Sequence, residues 1–263
     1  MKFIAAMDHS GGSTGGVLER YGCEYTEENK MDLVHEMRLR MINNPDFNSN
    51  NIWAAILYKD SVDRGAVNVL GDKGIEAILK VDSGCHMNGL LKDFDIDSMI
   101  DFAIANGCTG TKMRSIVKTM PLIGAVLDQQ FELAQVIYAA GLMPIVEPEV
   151  PIDSEDKIML EEFLARELHT RLEKFDGKCI LKLTLPERPN LYHQLTQHPK
   201  VHKVVGLSGG YDTREACNKL GLQDDMTASF SRALSEGLFY QMSDSQFNEQ
   251  LSANISEITK ASA

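Results

Sequence analysis

Cys179-Ile-Leu-Lys-Leu-Thr-Leu185 reads as a strand with two different faces. Successive strand residues point to opposite sides. Leu181, Leu183 and Leu185 therefore form one apolar face, suited to packing under helices, while Ile180, Lys182 and Thr184 form the other. Seven more short runs read as strands: Phe3–Asp8, Ile52–Tyr58, Ala77–Asp82, Gly110–Arg114, Pro144–Val150, Lys203–Ser208 and Met226–Ser231. Between them the spacing predicts helices over Glu28–Asn43, Asp95–Asn106, Leu127–Ala140, Ser154–Phe175, Leu191–His198 and Arg214–Leu220, with Ser243–Ala261 closing the chain. Leu160, Phe163, Leu164, Leu168 and Leu172 show the three-and-four repeat of an amphipathic helix. Asp95 and Ser154 stand at cap positions, and Gly107 and Gly177 follow the last turns. Strand–helix alternation repeated eight times is the pattern of a parallel sheet with helical crossovers. Eight units in 263 residues, without a linker or low-complexity stretch, predict one α/β domain over residues 1–263, a (β/α)8 TIM barrel. A doubly wound open sheet would carry G-x-G-x-x-G after its first strand, and Asp8-His-Ser-Gly-Gly-Ser13 lacks that spacing.

The chain is 43% apolar and 24% charged, with 26 basic and 38 acidic residues and a net charge of −12. Such a surface repels phosphate backbones, which argues against nucleic acid and anionic membrane as partners. An anionic small molecule must then be met by a local cluster of cations. No apolar run approaches the ~20 residues of a membrane helix. Met1–Gly12 turns acidic and Gly-rich after five residues and leaves no room for a signal peptide, so a cytoplasmic location is expected. The five cysteines (Cys23, Cys85, Cys108, Cys179, Cys217) show no CxxC or Cys/His ligand spacing and are expected as free thiols. The seven histidines include no HxxH, HExxH or HxH, so neither a metal nor a cofactor is expected. His193, His198 and His202 read as surface residues, whereas His9 adjoins Asp8 at a strand end.

Several strands carry charges on the face that should point into the barrel. Glu147 and Glu149 share the face of Ile145, Lys112 shares one with Arg114, Lys80 and Asp82 follow Ile78, and Asp8 follows Ala6. All gather near the C-terminal mouth, where this fold places its active sites. So many charges in one cavity are costly unless paired or used. A lysine in an apolar-walled cavity beside another cation loses its proton more readily, and a neutral amine forms a Schiff base with a carbonyl. Lys182 has the most apolar flanks, and Lys112 supplies the second charge. Carbinolamine dehydration needs a proton shuttle, which either Glu147 or Glu149 can provide, and carbon–carbon cleavage needs a base, a role open to Asp8.

Phosphate handling shows at other strand ends. Ser208-Gly209-Gly210-Tyr211 offers backbone N–H groups and a hydroxyl, and Ser229-Phe-Ser231-Arg232 adds hydroxyls and a guanidinium fork. Loops after strands seven and eight are the frequent phosphate site of this fold. Ser10-Gly11-Gly12-Ser13, with Lys80, provides a second anion site across the mouth. Two such sites predict a small substrate phosphorylated at both ends.

Seven segments occur in one order over almost the entire chain: Phe3-Ile-Ala-Ala-Met-Asp-His-Ser-Gly-Gly-Ser-Thr14, Leu79-Lys-Val-Asp82, Gly110-Thr-Lys-Met-Arg114, Pro144-Ile-Val-Glu-Pro-Glu-Val150, Ile180-Leu-Lys-Leu-Thr184, Leu207-Ser-Gly-Gly210 and Ala228-Ser-Phe-Ser-Arg-Ala-Leu234. Together they resemble class I fructose-1,6-bisphosphate aldolase in its bacterial form. The resemblance implies reversible cleavage of fructose 1,6-bisphosphate to dihydroxyacetone phosphate and glyceraldehyde 3-phosphate, with no metal. It implies that Lys182 forms the Schiff base, Glu147 is the acid/base of carbinolamine dehydration, Lys112 the cation beside it and Asp8 the acid/base at the C4 hydroxyl. Ser208, Gly209 and Arg232, with Gly210 and Ser231 beside them, match the phosphate site on the dihydroxyacetone side. Ser10, Ser13, Lys80 and Arg114 match groups near the other phosphate. The resemblance also implies a homo-oligomer. Two departures stand out: residue 3 already begins strand one, where relatives carry a preceding helix, and Ala261-Ser-Ala263 lacks the terminal tyrosine some relatives use to protonate the carbanion. Glu147 or a water is then expected to supply that proton. Another Schiff-base aldolase or transaldolase acting on a different phosphosugar is the alternative, followed by a barrel kept only for binding.

Overall fold

The computed structural model describes residues 1–10 and 12–262, apart from the side chains of residues 12 and 13. Eight parallel strands form one sheet in sequential order: β1 (Phe3–Met7), β2 (Ile52–Leu57), β3 (Glu76–Lys80), β4 (Gly110–Ile116), β5 (Met143–Glu149), β6 (Cys179–Thr184), β7 (Val201–Leu207) and β8 (Met226–Ala228). Among the described residues no ladder runs between β8 and β1. The Ala6 N–H donates to the Phe230 carbonyl at 3.1 Å, just past the end of β8, and brings the two edges together. The barrel is therefore nearly closed, with helices between the strands. The seven expected helices are present with ends displaced by a few residues, except that the helix expected from Leu127 starts at Met120, with Pro121 in its first turn.

Strand parity sorts the residues as the alternating pattern predicts. Ile4, Ala6, Ala54, Ile56, Ile78, Ile145, Ile180 and Val205 fill the lower barrel interior. The opposite face of each strand joins the larger core beneath the helices, with Leu181, Leu183 and Leu185 all buried there. Trp53 and Met143 lie half-buried against the lower end of the interior plug. Trp53 donates to Glu76 at 3.1 Å, and its ring centroid is 5.2 Å from that of His202.

Short helices over Gly12–Arg20, Lys59–Asp63, Ala66–Asp72 and Arg232–Ser235 carry no clear signal in the sequence. Gly12–Arg20 contains three glycines, which disfavour helix, and Val17 and Leu18 offset this by burying themselves in the core. The stretch Ser10–Ser13, expected as a loop, thus already enters a helix at residue 12.

Candidate active site

Charged side chains crowd the upper end of the barrel directly above the apolar plug. Nζ of Lys112, on β4, is 2.7 Å from Asp8 Oδ2, 3.3 Å from Glu147 Oε2 and 3.9 Å from Asp82 Oδ2. Nζ of Lys182, on β6, is 3.2 Å from the other Glu147 oxygen. Strand register explains the meeting: Ile145 pairs with Ile180, and Glu147 and Lys182 each lie two residues further along the same face. Lys80 pairs with Lys112 across β3 and β4. Its Nζ donates to Ser10 Oγ and to the Asp82 carbonyl, both at 3.0 Å, and is 3.2 Å from Asp82 Oδ1. Asp82 also accepts from the backbone N–H groups of Gly84 at 3.0 Å and Arg114 at 3.2 Å.

Burial sharpens the electrostatics. Lys112, Glu147 and Lys182 are all less than 5% exposed, at 2%, 3% and 4%. Burial alone would raise the Asp8 carboxyl, but the charges of Lys112 and Lys182 outweigh it and hold Asp8 well below the usual carboxylate range. For Lys112 burial favours the neutral amine, yet Asp8, Glu147 and Asp82 together keep its proton on, above an ordinary lysine. Lys112 is thus a permanent cation at the centre of the site. Glu149 lies 3.0 Å from Arg114, and its carboxyl is raised by burial and by Glu147 despite that partner.

The cluster opens into a cavity of about 930 Å³. Ser208, Gly209 and Gly210 line one side, and Ser231 and Arg232 lie beside them. Arg232 donates to the Gly210 carbonyl at 3.1 Å, and the backbone turns through positive φ at Gly209 (+59°) and Gly210 (+123°). Ser231 Oγ lies 2.8 Å from His9 Nε2. Burial pushes His9 down to about 4, against the pull of Asp8 and with the help of Arg38. Arg38 also donates to the His9 carbonyl at 2.5 Å. Lys80, Ser10 and Arg114 line the other side, with the Arg114 guanidinium half exposed. The side chain of Ser13 lies outside the described residues. Among the described residues no group of His, Cys, Asp and Glu side chains is arranged to hold a metal.

A buried lysine amine, a carboxylate within reach of it, and hydroxyl and cationic groups on both rims are a set that could serve Schiff-base chemistry on a bisphosphate. Among curated proteins, a fructose-bisphosphate aldolase class 1 from Synechocystis sp. is 44% identical over an alignment of 279 positions, covering 99% of this chain and 93% of that one. The chain belongs to the class I fructose-bisphosphate aldolase family. No family model matches it. Among solved structures, a fructose-bisphosphate aldolase from Plasmodium falciparum superposes with a TM-score of 0.80 at 20% identity, covering 99% of this chain and 90% of that chain. An archaeal fructose 1,6-bisphosphate aldolase superposes at 0.63 with 12% identity, covering 98% and 94%. At those identities the two structures bear on the barrel fold alone.

For this class I aldolase the sequence left Glu147 and Glu149 as alternatives for the shuttle, and the two differ in their contacts. Glu147 contacts both lysines, whereas Glu149 is engaged by Arg114. The sequence also placed Asp82 at a strand end without a role, yet it ties Lys80, the Arg114 backbone and the Lys112 side together. The strand pattern, with Asp82 on the face of Lys80, was the available signal. Arg20 also lines the cavity and was not anticipated, because the glycine-rich helix that carries it does not read as a helix.

Proposed function

We propose that the chain runs aldol cleavage of fructose 1,6-bisphosphate through a Schiff base on Lys182. The observation that carries this reading is the buried relay Lys182–Glu147–Lys112–Asp8 at the floor of the cavity, with each neighbouring pair between 2.7 and 3.3 Å. Lys182 passes a proton to the Glu147 carboxylate 3.2 Å away, and the neutral amine adds to the C2 carbonyl. Glu147 gives a proton to the carbinolamine hydroxyl, which leaves as water, and the iminium forms. Asp8 accepts the C4 hydroxyl proton as the C3–C4 bond breaks. Its electrons move into the iminium, glyceraldehyde 3-phosphate leaves and an enamine remains. Protonation at C3 and hydrolysis then release dihydroxyacetone phosphate and free Lys182. The depressed Asp8 carboxyl is a weak base, and the permanent charge of Lys112 compensates by stabilising the developing alkoxide.

Ser208, Gly209, Gly210, Ser231 and Arg232 would take the phosphate on the dihydroxyacetone side, and Ser10, Lys80 and Arg114 the other. The same reading makes a phosphosugar the partner, rather than nucleic acid or membrane, and places the enzyme in the cytoplasm as a single-domain subunit of a homo-oligomer. The acidic charge balance supports the first part. Val136, Tyr138, Ile158 and Met159, exposed on two adjacent helices, supply apolar surface for association. No helix among the described residues is long and apolar enough to cross a membrane.

Borohydride added with fructose 1,6-bisphosphate should fix a triose- or hexose-phosphate adduct on Lys182, located by peptide mass, and Lys182→Met should abolish both adduct and cleavage. Equal cleavage by wild type and Lys182→Met would end this account. Light scattering at micromolar concentration tests the oligomer, and a single-subunit mass would remove it.

A further inference from the structure

Two guanidinium groups, Arg20 and Arg232, line the cavity on the side where β8 meets β1. Neither makes an ion pair among the described residues, which they share with Arg38, Arg166 and Arg214, whereas Arg40, Arg64, Arg114, Arg171 and Arg188 each hold an Asp or Glu. In a chain with 38 acidic against 26 basic residues, carboxylate partners are in excess. Two neighbouring unpaired arginines facing one cavity repel each other and are best explained by a ligand of opposite charge.

The helix Gly12–Arg20 accounts for where Arg20 reaches. It follows β1, so its N-terminal end lies nearest the mouth, and helical side chains lean toward the N-terminus. The guanidinium folds back one turn, so that a Cβ on Gly16 would stand 3.5 Å from Arg20 Nη1. Arg232, for its part, is anchored on the Gly210 carbonyl beside Ser231. We propose that Arg20 is a second arm of the phosphate site on the dihydroxyacetone side, clasping with Arg232 the phosphate that Ser208 and the glycine loop receive. This rests on the aldolase reading given above.

The electrostatics agree. Burial, and then the charge of Arg232, weaken the hold of Arg20 on its proton, so a bound dianion relieves a repulsion already present. Arg20 and Arg232 follow β1 and β8, the two strands that meet at this edge of the barrel, and both line the cavity there, which assigns Arg20 to the phosphate that Arg232 faces. Paired guanidinium forks on one phosphate give charge-assisted, geometrically selective bonds.

The test compares wild type, Arg20→Ala and Arg20→Lys on two sugars, fructose 1,6-bisphosphate and fructose 1-phosphate, by KM and kcat and by calorimetric Kd for fructose 1-phosphate. Loss of a charge-assisted contact should raise KM for both sugars, and the Kd, about tenfold to a hundredfold in Arg20→Ala, while kcat falls less than twofold. Arg20→Lys should recover part of the loss. Unchanged KM for both sugars would make Arg20 a bystander. A rise with fructose 1,6-bisphosphate alone would move it to the other phosphate and overturn the assignment. Wild type that binds fructose 1-phosphate but does not cleave fructose 1,6-bisphosphate would overturn the aldolase reading, leaving Arg20 to be judged by Kd. Wild type that binds neither sugar would overturn both.

Discussion

Glu147 stands 3.2 Å from the Lys182 amine with one carboxylate oxygen and turns the other toward Lys112. One acid thus spans two buried lysines on the strands at either side of it. A proton can pass between Glu147 and a group on Lys182 without rearrangement, while Lys112 keeps the carboxylate fixed.

That geometry separates the two glutamates. In Glu147→Gln the shape is kept and the proton shuttle is lost, so kcat should fall by roughly a hundredfold to ten-thousandfold, the usual span for general acid–base groups. Glu149, held by Arg114, should matter less, and Glu149→Gln should lose no more than about tenfold. Steady-state kcat for the two variants measures the difference. A larger loss in Glu149→Gln would exchange their roles.

Asp8 and Lys112, 2.7 Å apart, should make stability depend on pH in a defined direction. The Asp8 carboxyl is depressed on folding, so its contribution is complete above the unfolded value of ~3.9 and is lost as pH falls through the folded one. The Lys112 ammonium is raised, so its contribution is complete below ~10.4 and is lost as pH rises through its folded value. Neither titration should change stability between about pH 5 and 9. Asp8→Asn should cost on the order of 2 kcal/mol at pH 7, less than breaking an isolated buried pair, because Glu147 and Asp82 still face Lys112. The gap between the urea midpoints of the two proteins should begin to narrow below about pH 4 and go on narrowing as pH falls further. A gap that stays constant to pH 3 would contradict the ion pair.

His9 should act in a separate window. Its folded pKa of about 4 lies below the unfolded ~6.5, so the unfolded chain binds more protons between those values. Wild type should therefore lose stability as pH drops from 6.5 to 4, and His9→Gln, which can still reach Ser231, should lose less over that range. NMR titration of the His9 ring offers the direct check. A midpoint near 6.5 would show that burial does not hold the ring neutral.

Much of this was legible in the sequence because the barrel obeys a period of two. Ile180-Lys182-Thr184 and Ile145-Glu147-Glu149 announced which charges point inward, and Lys182, Glu147 and Glu149 all line the cavity above Ile145 and Ile180. What period two cannot give is the angular order of side chains inside a closed barrel. That order depends on register between strands distant in sequence, such as Ile145 with Ile180, so the roles of Glu147 and Glu149 stayed open. Arg20 was hidden for a local reason. Gly12, Gly15 and Gly16 argue against helix, and only tertiary burial of Val17 and Leu18 overrides them.

The phosphate loop yields the last prediction. Gly209 adopts φ +59°, and a Cβ there would lie 2.7 Å from Ile152 Cγ2. Gly209→Ala therefore meets two separate penalties: about 1–2 kcal/mol for an L-residue in the left-handed region and about 1–3 kcal/mol for overpacking against Ile152. Only the second depends on Ile152. In the Gly209→Ala/Ile152→Ala double variant the closest contact is removed and only Leu207 Cδ1, at 3.3 Å, stays tight, so the two substitutions should couple favourably by at least about 0.5 kcal/mol. The left-handed penalty should remain, and with it a raised KM for fructose 1,6-bisphosphate, since the loop beside Arg232 would still be strained. Urea denaturation of wild type, both single variants and the double variant gives the cycle. Strict additivity would mean that Ile152 moves aside freely, and an unchanged KM in Gly209→Ala would remove Gly209 from the phosphate site.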